Sequence, residues 1–249
     1  MPDWPDPKRQ AEQIVGALLE VRATEGEPDA AVWAFDLLQM YRAYAERRAW
    51  RPAVWHVRNW AGTPQVTGSA VTDAVLALES DEAYRRLFWE TGGHRVQRAP
   101  VLGFGRIHTS AAMIAVLPRV EESAVAIADD DVQEEFIAQA AADLEVAVSP
   151  GLRLIHVPAG LGVSWHNALC NDTEAARARE LLCSRLFELK RRQQSGQEMR
   201  AQKIRTYNFP ENRVTDHRAG VSFYSLDRIV RGELDDLMDA VAEKANVAS

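Results

Sequence analysis

Glu90–Ser110 reads ETGGHRVQRAPVLGFGRIHTS. Within it stand two histidines (His94, His108), three arginines (Arg95, Arg98, Arg106), Gln97 and the hydroxyls of Thr109 and Ser110, set about a Pro-Val-Leu-Gly-Phe-Gly loop. A core has little use for so many multi-donor side chains. A surface that reads phosphates and base edges does, because Arg grips phosphate bidentately while Gln, Thr and His can each donate and accept. The plainer alternative is that these groups satisfy one another within a turn.

Outward from this stretch the pattern is mixed. Ala111–Pro118 reads as a strand, and Ser80–Leu87 as a short helix with Ser80 as its N-cap. Arg51–Trp60 and Ala70–Glu79 read as strands, with Trp55 and Trp60 expected to pack rather than to stack on bases. Asp29–Arg48 carries Val32, Phe35, Leu38 and Tyr41 at helical spacing, with Asp29 at the dipole-positive start. Pro7–Leu19 reads as a short helix with Ile14, Val15, Leu18 and Leu19 on one face, and Leu18–Ala23 as a strand ended by Gly26 and Pro28.

Glu121–Glu135, with its Asp129-Asp130-Asp131 run, reads as a solvated linker or a helix N-terminus and marks a domain boundary. Beyond it Asp143–Val148, Leu152–Val157 and Leu161–His166 read as a three-stranded meander joined by tight turns at Ser149-Pro150-Gly151 and Pro158-Ala159-Gly160. Thr173–Arg192 is a predicted helix that lays Leu181, Leu182, Leu186 and Leu189 on those strands, and Asp227–Val241 an amphipathic helix broken near Gly232. The expected class is α+β, with a mixed sheet and helices followed by a small meander-and-helix unit.

The 249 residues are 47% hydrophobic and 26% charged, an ordinary globular mixture. A net charge of −7 argues against indiscriminate coating of nucleic acid, so any RNA contact rests on local patches. Cys170 and Cys183 supply neither a disulfide framework nor a metal quartet, so no metal or cofactor is expected. Reduced thiols, no apolar run of membrane-spanning length and a polar, proline-broken start point to the cytoplasm and away from a membrane.

GGHRVQR, then GRIHTS, then RTYNFPENRVTDHR near the C-terminus resemble the bacterial class I peptide chain release factors, in the family's order from about Leu19 to about Val241. The resemblance implies a helix tip that reads the first base of a stop codon, where Gly26 matches a glycine and Asp29 falls at the family's glutamate. It implies that Gln97 and Thr109 contact the third base and that His108 stacks between the second and third. Guanidinium chemistry, rather than the resemblance, puts Arg95, Arg98 and Arg106 on phosphates. After the short N-terminal helix (1–17), the resemblance divides the chain into a decoding-type domain (18–140), a small domain (141–198) and a C-terminal segment returning to the decoding domain (199–249). Members that read UAA and UAG carry Pro-Ala-Thr where this chain has Pro100-Val101-Leu102. Leu102 has neither donor nor acceptor, so the ordinary codon discrimination is not expected.

The family's small domain holds a long loop with Gly-Gly-Gln, which positions the water that cleaves peptidyl-tRNA. No Gly-Gly-Gln occurs in this chain, and the three-residue turn at Ser149–Gly151 stands where that loop would be. Positioning is most of what such a loop supplies, so hydrolysis by the family's mechanism is not expected and no catalytic residue is assigned. The His166–Asp172 run HNALCND, with His156, is the alternative ground for an enzyme acting on a tRNA-linked or small-molecule substrate. Arg177–Arg218 holds eleven Lys or Arg against five Asp or Glu, and Lys203, Arg205, Arg213 and Arg218 are expected on a basic face, or else paired with the acidic linker. The leading expectation is a non-hydrolytic binder of the ribosome or structured RNA at an A-site codon; the enzyme and a protein-partner module stand behind it.

Overall fold

The large sheet grows outward from the hairpin that the opening motif forms. In the computed structural model, described for residues 13–24, 28–60, 69–101, 106–121, 124–125, 127–138, 150–166, 171–195 and 202–247, β4 (Gly92–Arg98) pairs antiparallel with β5 (His108–Val120). On one side β5 takes β1 (Ile14–Ala23), then β3 (Val71–Leu78) and β2 (Ala53–Asn59). On the other side β4 takes β9 (Lys203–Asn208) in parallel, followed by β10 (Arg213–Asp216) and β11 (Val221–Phe223). The order is β11-β10-β9-β4-β5-β1-β3-β2. A parallel pair requires a crossover. Here the chain between β5 and β9 runs through a second antiparallel sheet of β6 (Val132–Ala138), β7 (Pro150–His156) and β8 (Leu161–His166), and then α3 (Asp172–Ser195).

Gly92 explains half of the GG in the motif. Its φ of +147° is one that side-chain-bearing residues rarely adopt, and a Cβ there would lie 2.5 Å from Cγ2 of Ile204 on β9.

One face of the large sheet is covered by α1 (Pro28–Arg47), α2 (Asp81–Leu87), α4 (Leu226–Ile229) and α5 (Asp235–Val247). Trp33, Leu37, Tyr41, Tyr44, Val96, Tyr207 and Leu237 meet there in one core. The predicted C-terminal helix is thus two, and Gly232 is the break. Its φ is +88°, and a Cβ would sit 2.6 Å from the backbone nitrogen of Tyr44. The opposite face is covered at its β1–β3–β2 end, where Leu18, Val75, Ala77 and Leu117 share a second core with Leu152, Trp165, Leu181 and Phe187. Each such buried side chain contributes about 1.5–3 kcal/mol. Trp55 is buried in this core with the guanidinium groups of Arg119 and Arg177 over its ring, which agrees with a packing role.

Three expected elements are corrected. Ile14, Val15, Leu18 and Leu19 lie on β1 rather than a helix: Ala17 to Leu19 are buried on a central strand whose two faces are both covered, which removes the polar alternation that marks a strand. Residues 1–12 lie outside the described part. The acidic stretch is not a linker throughout, because Val132–Ala138 is the edge strand β6. And β7 pairs with β6, Ala138 opposite Pro150, so its antiparallel partner is not Asp143–Val148. Residues 139–149 therefore connect the strands where a three-residue turn was expected; they lie outside the described residues.

Candidate functional site

Alternation along β4, β5, β9 and β10 sorts their side chains into two sets. Val96, Ala112, Tyr207 and Val214 face the helices, in the core. Their neighbours in sequence therefore face the other way. The ladder sets Gln97 opposite Thr109, Asn208 beside Gln97, and Arg213 beside Asn208. This polar row crosses four strands at the end of the sheet that the second core does not reach. A parallel row runs Arg95, Thr206, Thr215 and Ser222. Thr109 is exposed, Gln97, Asn208 and Arg213 are half-buried, and Thr206 is held by a 2.7 Å hydrogen bond to His217.

The rim of the hairpin belongs to the other face. His108 pairs with Arg98 and is exposed, as is Arg106. The carboxylate of Asp29, in the first turn of α1, accepts a 2.7 Å hydrogen bond from the backbone N–H of Val101. A helix N-terminus favours an anion there, and the bond ties the helix tip to the hairpin loop beside half-buried Pro100. Asp29 is 7% exposed, so its carboxylate faces the loop rather than open solvent. The fold thus joins Gln97 with Thr109, and Asp29 with the loop, while His108 projects from the opposite face to Gln97. Gly26 and Leu102 lie outside the described residues.

Four arginines expected on phosphates or on a basic face are engaged in ion pairs. Arg98 donates to Asp36 at 2.6 Å and lies over the rings of Trp33 and Phe209, which leaves Arg95 and Arg106 nearer to the expected role. Arg205 is 0% exposed. It bridges Glu90 and Asp216, at 2.7 Å and 3.1 Å, inside the α1-side core. Tyr41 donates to Glu90 at 2.6 Å, and His94 bonds the Tyr207 hydroxyl at 3.2 Å and the Glu90 carbonyl at 3.0 Å. Burial and the Arg205 charge push the His94 imidazole down to about 4, so it is neutral at physiological pH. Burial works to raise Asp216, but its bonds to Arg218 and the charges of Arg205 and Arg218 prevail and hold it down at about 2. Arg218 is exposed at its edge but likewise pairs with Asp216 at 2.9 Å. The expected basic face thus shrinks to Lys203, exposed, and Arg213, itself paired to Glu211 at 2.9 Å. Alternation in RTYNF was the missed signal: Arg205 and Tyr207 point in, Thr206 and Asn208 out.

The catalytic alternative is not assembled among the described residues. His156 sits at the β7–β8 turn, where its Nδ1 accepts from the N–H of Ala159, and His166 pairs with Gly151 at the far end, roughly 17 Å along the ladder. Asn167–Cys170 lie outside the described residues, and Cys183 is buried. Among the described residues no three His, Cys, Asp or Glu are placed to hold a metal ion, and no helix is long and apolar enough to cross a membrane.

Residues 6–114 match the PCRF domain family. The chain is 38% identical over 242 residues to peptide chain release factor 1 of Nitratidesulfovibrio vulgaris, covering 92% of this chain and 66% of that protein. Against peptide chain release factor 1 of Aquifex aeolicus the identity is 38% over 242 residues, 91% of this chain and 65% of the other. The fold superposes on RF2 of Thermus thermophilus with a TM-score of 0.79 at 25% identity, over 99% of this chain and 71% of that one. The chain spans about 65% of the length of the curated relatives it matches. It belongs to the bacterial peptide chain release factor family, as a divergent member.

Proposed function

We propose that the protein binds the ribosome through the polar end of the large sheet and the hairpin rim, contacts RNA there, and does not hydrolyse peptidyl-tRNA by the family's mechanism. The observation that carries this is the register of the hairpin. Gln97 and Thr109 stand directly opposite each other, flanked by Asn208, on a sheet end that no described helix covers. Amide and hydroxyl side chains in one row offer both donors and acceptors, which is what base edges require. Exposed His108 adds a flat ring on which a base can stack, and Arg95, Arg106 and Lys203 supply contacts of the salt-sensitive, sequence-independent kind.

The second half of the proposal rests on the sequence. Residues 139–149, QAAADLEVAVS, join β6 to β7 and contain no Gly-Gly-Gln, nor does any other part of the chain. Pro100-Val101-Leu102 offers no side-chain hydrogen bond to a codon, so binding is expected to discriminate poorly among codons. The test is co-sedimentation with 70S ribosomes carrying UAA, UGA or a sense codon in the A site, alongside formylmethionine release from the same complexes. Binding of similar strength to all three, with release at the factor-free background, is expected. Absence of binding, or release well above background, overturns the corresponding half.

A further inference from the structure

A cleft of about 380 Å³ lies on the covered side of the large sheet, between β1–β3–β2 and the β8–α3 unit. It opens on the same face of the sheet as the Gln97–Thr109 row, with Arg22 paired to Met113, four positions along β5 from Thr109, and shares no residue with that row. Its floor is made by two cross-strand rows: Arg22, Asp73 and Arg58 in one, Glu20, Val75 and His56 in the other. Ser164 and His166 of β8 and Arg185 of α3 complete the wall.

The pairing inside this cleft is incomplete. Arg185 is fully engaged, with Glu20 at 2.5 Å and the Gly162 carbonyl at 2.6 Å, and it holds the wall to the floor. Asp73 takes Nε2 of His56 at 3.0 Å and Nε of Arg58 at 2.5 Å. Yet His56 is 4% exposed, with Trp165 against its ring, and its buried Nδ1 has no hydrogen-bond partner among the described residues. A buried polar atom left unpaired destabilises a fold, and a native fold that keeps one commonly has a ligand or water for it. Arg22 has no ion pair among the described residues, and the single bond of Arg58 leaves its terminal nitrogens for another acceptor. Histidines apart, the lining carries three arginines against two carboxylates, an excess of one positive charge inside a −7 chain.

We propose that this cleft is a binding site for a small phosphate-bearing molecule, its phosphate held between Arg22 and Arg58 with His56, His166 and Ser164 as hydrogen-bonding partners. Guanidinium groups suit the tetrahedral oxygens, and the volume falls in the range of small-ligand pockets. His56 holds Asp73 through Nε2, which leaves Nδ1 as the ring nitrogen still to be satisfied when a ligand and its waters fill the cleft. The mixed signs of the lining favour an anion that also donates, as hydrogen phosphate does through its P–OH and a nucleotide through its ribose hydroxyls, and as sulfate does not.

The test is calorimetric titration of the whole protein with inorganic phosphate, with adenosine monophosphate and with sulfate. Saturable binding of phosphate or of the nucleotide, at least tenfold stronger than sulfate, is expected; nucleotide binding well above phosphate identifies the ester, and equal binding identifies the free ion. Arg22→Ala lies on the surface and leaves the fold intact, and it is expected to weaken that binding about tenfold. His56→Gln is the second variant, read only where its melting curve matches wild type, with a similar loss expected. Binding of neither phosphate nor nucleotide at millimolar concentration, or binding that Arg22→Ala leaves unchanged, overturns the proposal. Co-sedimentation of Arg22→Ala with ribosomes is expected to equal wild type, so failure here is distinct from failure of the ribosome reading.

Discussion

His94 and His108 come from one run of sequence, and the fold gives them opposite surroundings. His94 is 0% exposed, hydrogen-bonded on both ring nitrogens and kept neutral; His108 is exposed at the rim of the same hairpin. The same split runs along β9, where Arg205 is buried between two carboxylates while Thr206 and Asn208 face the bare side. Strand alternation accounts for both. One face of these strands carries a buried network that ties the C-terminal segment to the first half of the chain, and the other carries rows of amide and hydroxyl groups with Arg95 and Arg213 among them. Density of polar residues in a motif therefore does not separate structure from binding, and the parity of each position does.

The comparison is most easily broken at Arg205. Replacing it with Met leaves Glu90 without its cation in the core and Asp216 with Arg218 alone. Removing one partner of a buried ion pair costs about 3–5 kcal/mol, whereas a change at exposed Lys203 on the same strand stays within about 0.5 kcal/mol. Urea unfolding of Arg205→Met and Lys203→Met measures the difference. Equal midpoints for the two would mean that the buried network does not hold the C-terminal segment in place.

A second test uses acid. The folded pKa of His94, about 4, lies below its unfolded value of 6.5, so the stability linked to neutral His94 is present above pH 6.5 and is lost as pH falls towards 4. The full loss is roughly 3 kcal/mol. Asp216, held at about 2 against an ordinary carboxylate value of 3.8, acts in a lower window: its contribution is present above about pH 4 and disappears as pH falls through 2. Denaturant titrations at intervals from pH 7 to pH 4 should show the first decline. A flat profile over that range would remove the claim that His94 is buried neutral.

Much of the architecture was legible because the signals were local. Helical spacing marked α1 and α3, period-two alternation marked β2, β3 and β8, and Gly232 marked the break between α4 and α5. The misreadings have physical causes. Ile14, Val15, Leu18 and Leu19 fit a helical face as well as a central strand does, and burial on both sides erased the alternation that would have decided it. In β6 the acidic residues masked a strand whose Phe136 is 76% exposed, as an edge strand of a small sheet permits. The partners of Arg205 were beyond local reading, since Glu90 lies 115 residues away and only the parallel β4–β9 pairing brings them together.

At the rim, His108→Ala isolates the binding role from the structural one. The side chain is exposed, so the melting curve should move by less than about 0.5 kcal/mol. Loss of a stacking ring should weaken ribosome binding by about 1–3 kcal/mol, read by co-sedimentation at fixed salt. The matching change on the buried side, His94→Ala, should do the reverse and unfold the protein before binding is affected. Unchanged ribosome affinity in folded His108→Ala would move the site away from the rim and onto the Gln97 row.

The smallest effect is expected at Asp29, and it decides whether the helix tip supports the loop or touches RNA itself. Its Oδ1 accepts from the Val101 N–H at 2.7 Å, and the charge sits in the first turn of α1. Asp29→Asn keeps an acceptor oxygen for that bond and removes only the charge, so the loss is the interaction with the helix dipole, about 0.3–1 kcal/mol of stability. With the tie preserved, the loop keeps its place and ribosome affinity should remain that of wild type. A carboxylate in direct contact with a base would behave differently: Asn offers a donor where Asp offers only acceptors, and affinity would shift in a codon-dependent way. Parallel melting and co-sedimentation of Asp29→Asn on UAA, UGA and sense complexes separate the two outcomes, and a codon-dependent change without a stability change would place Asp29 in contact with RNA.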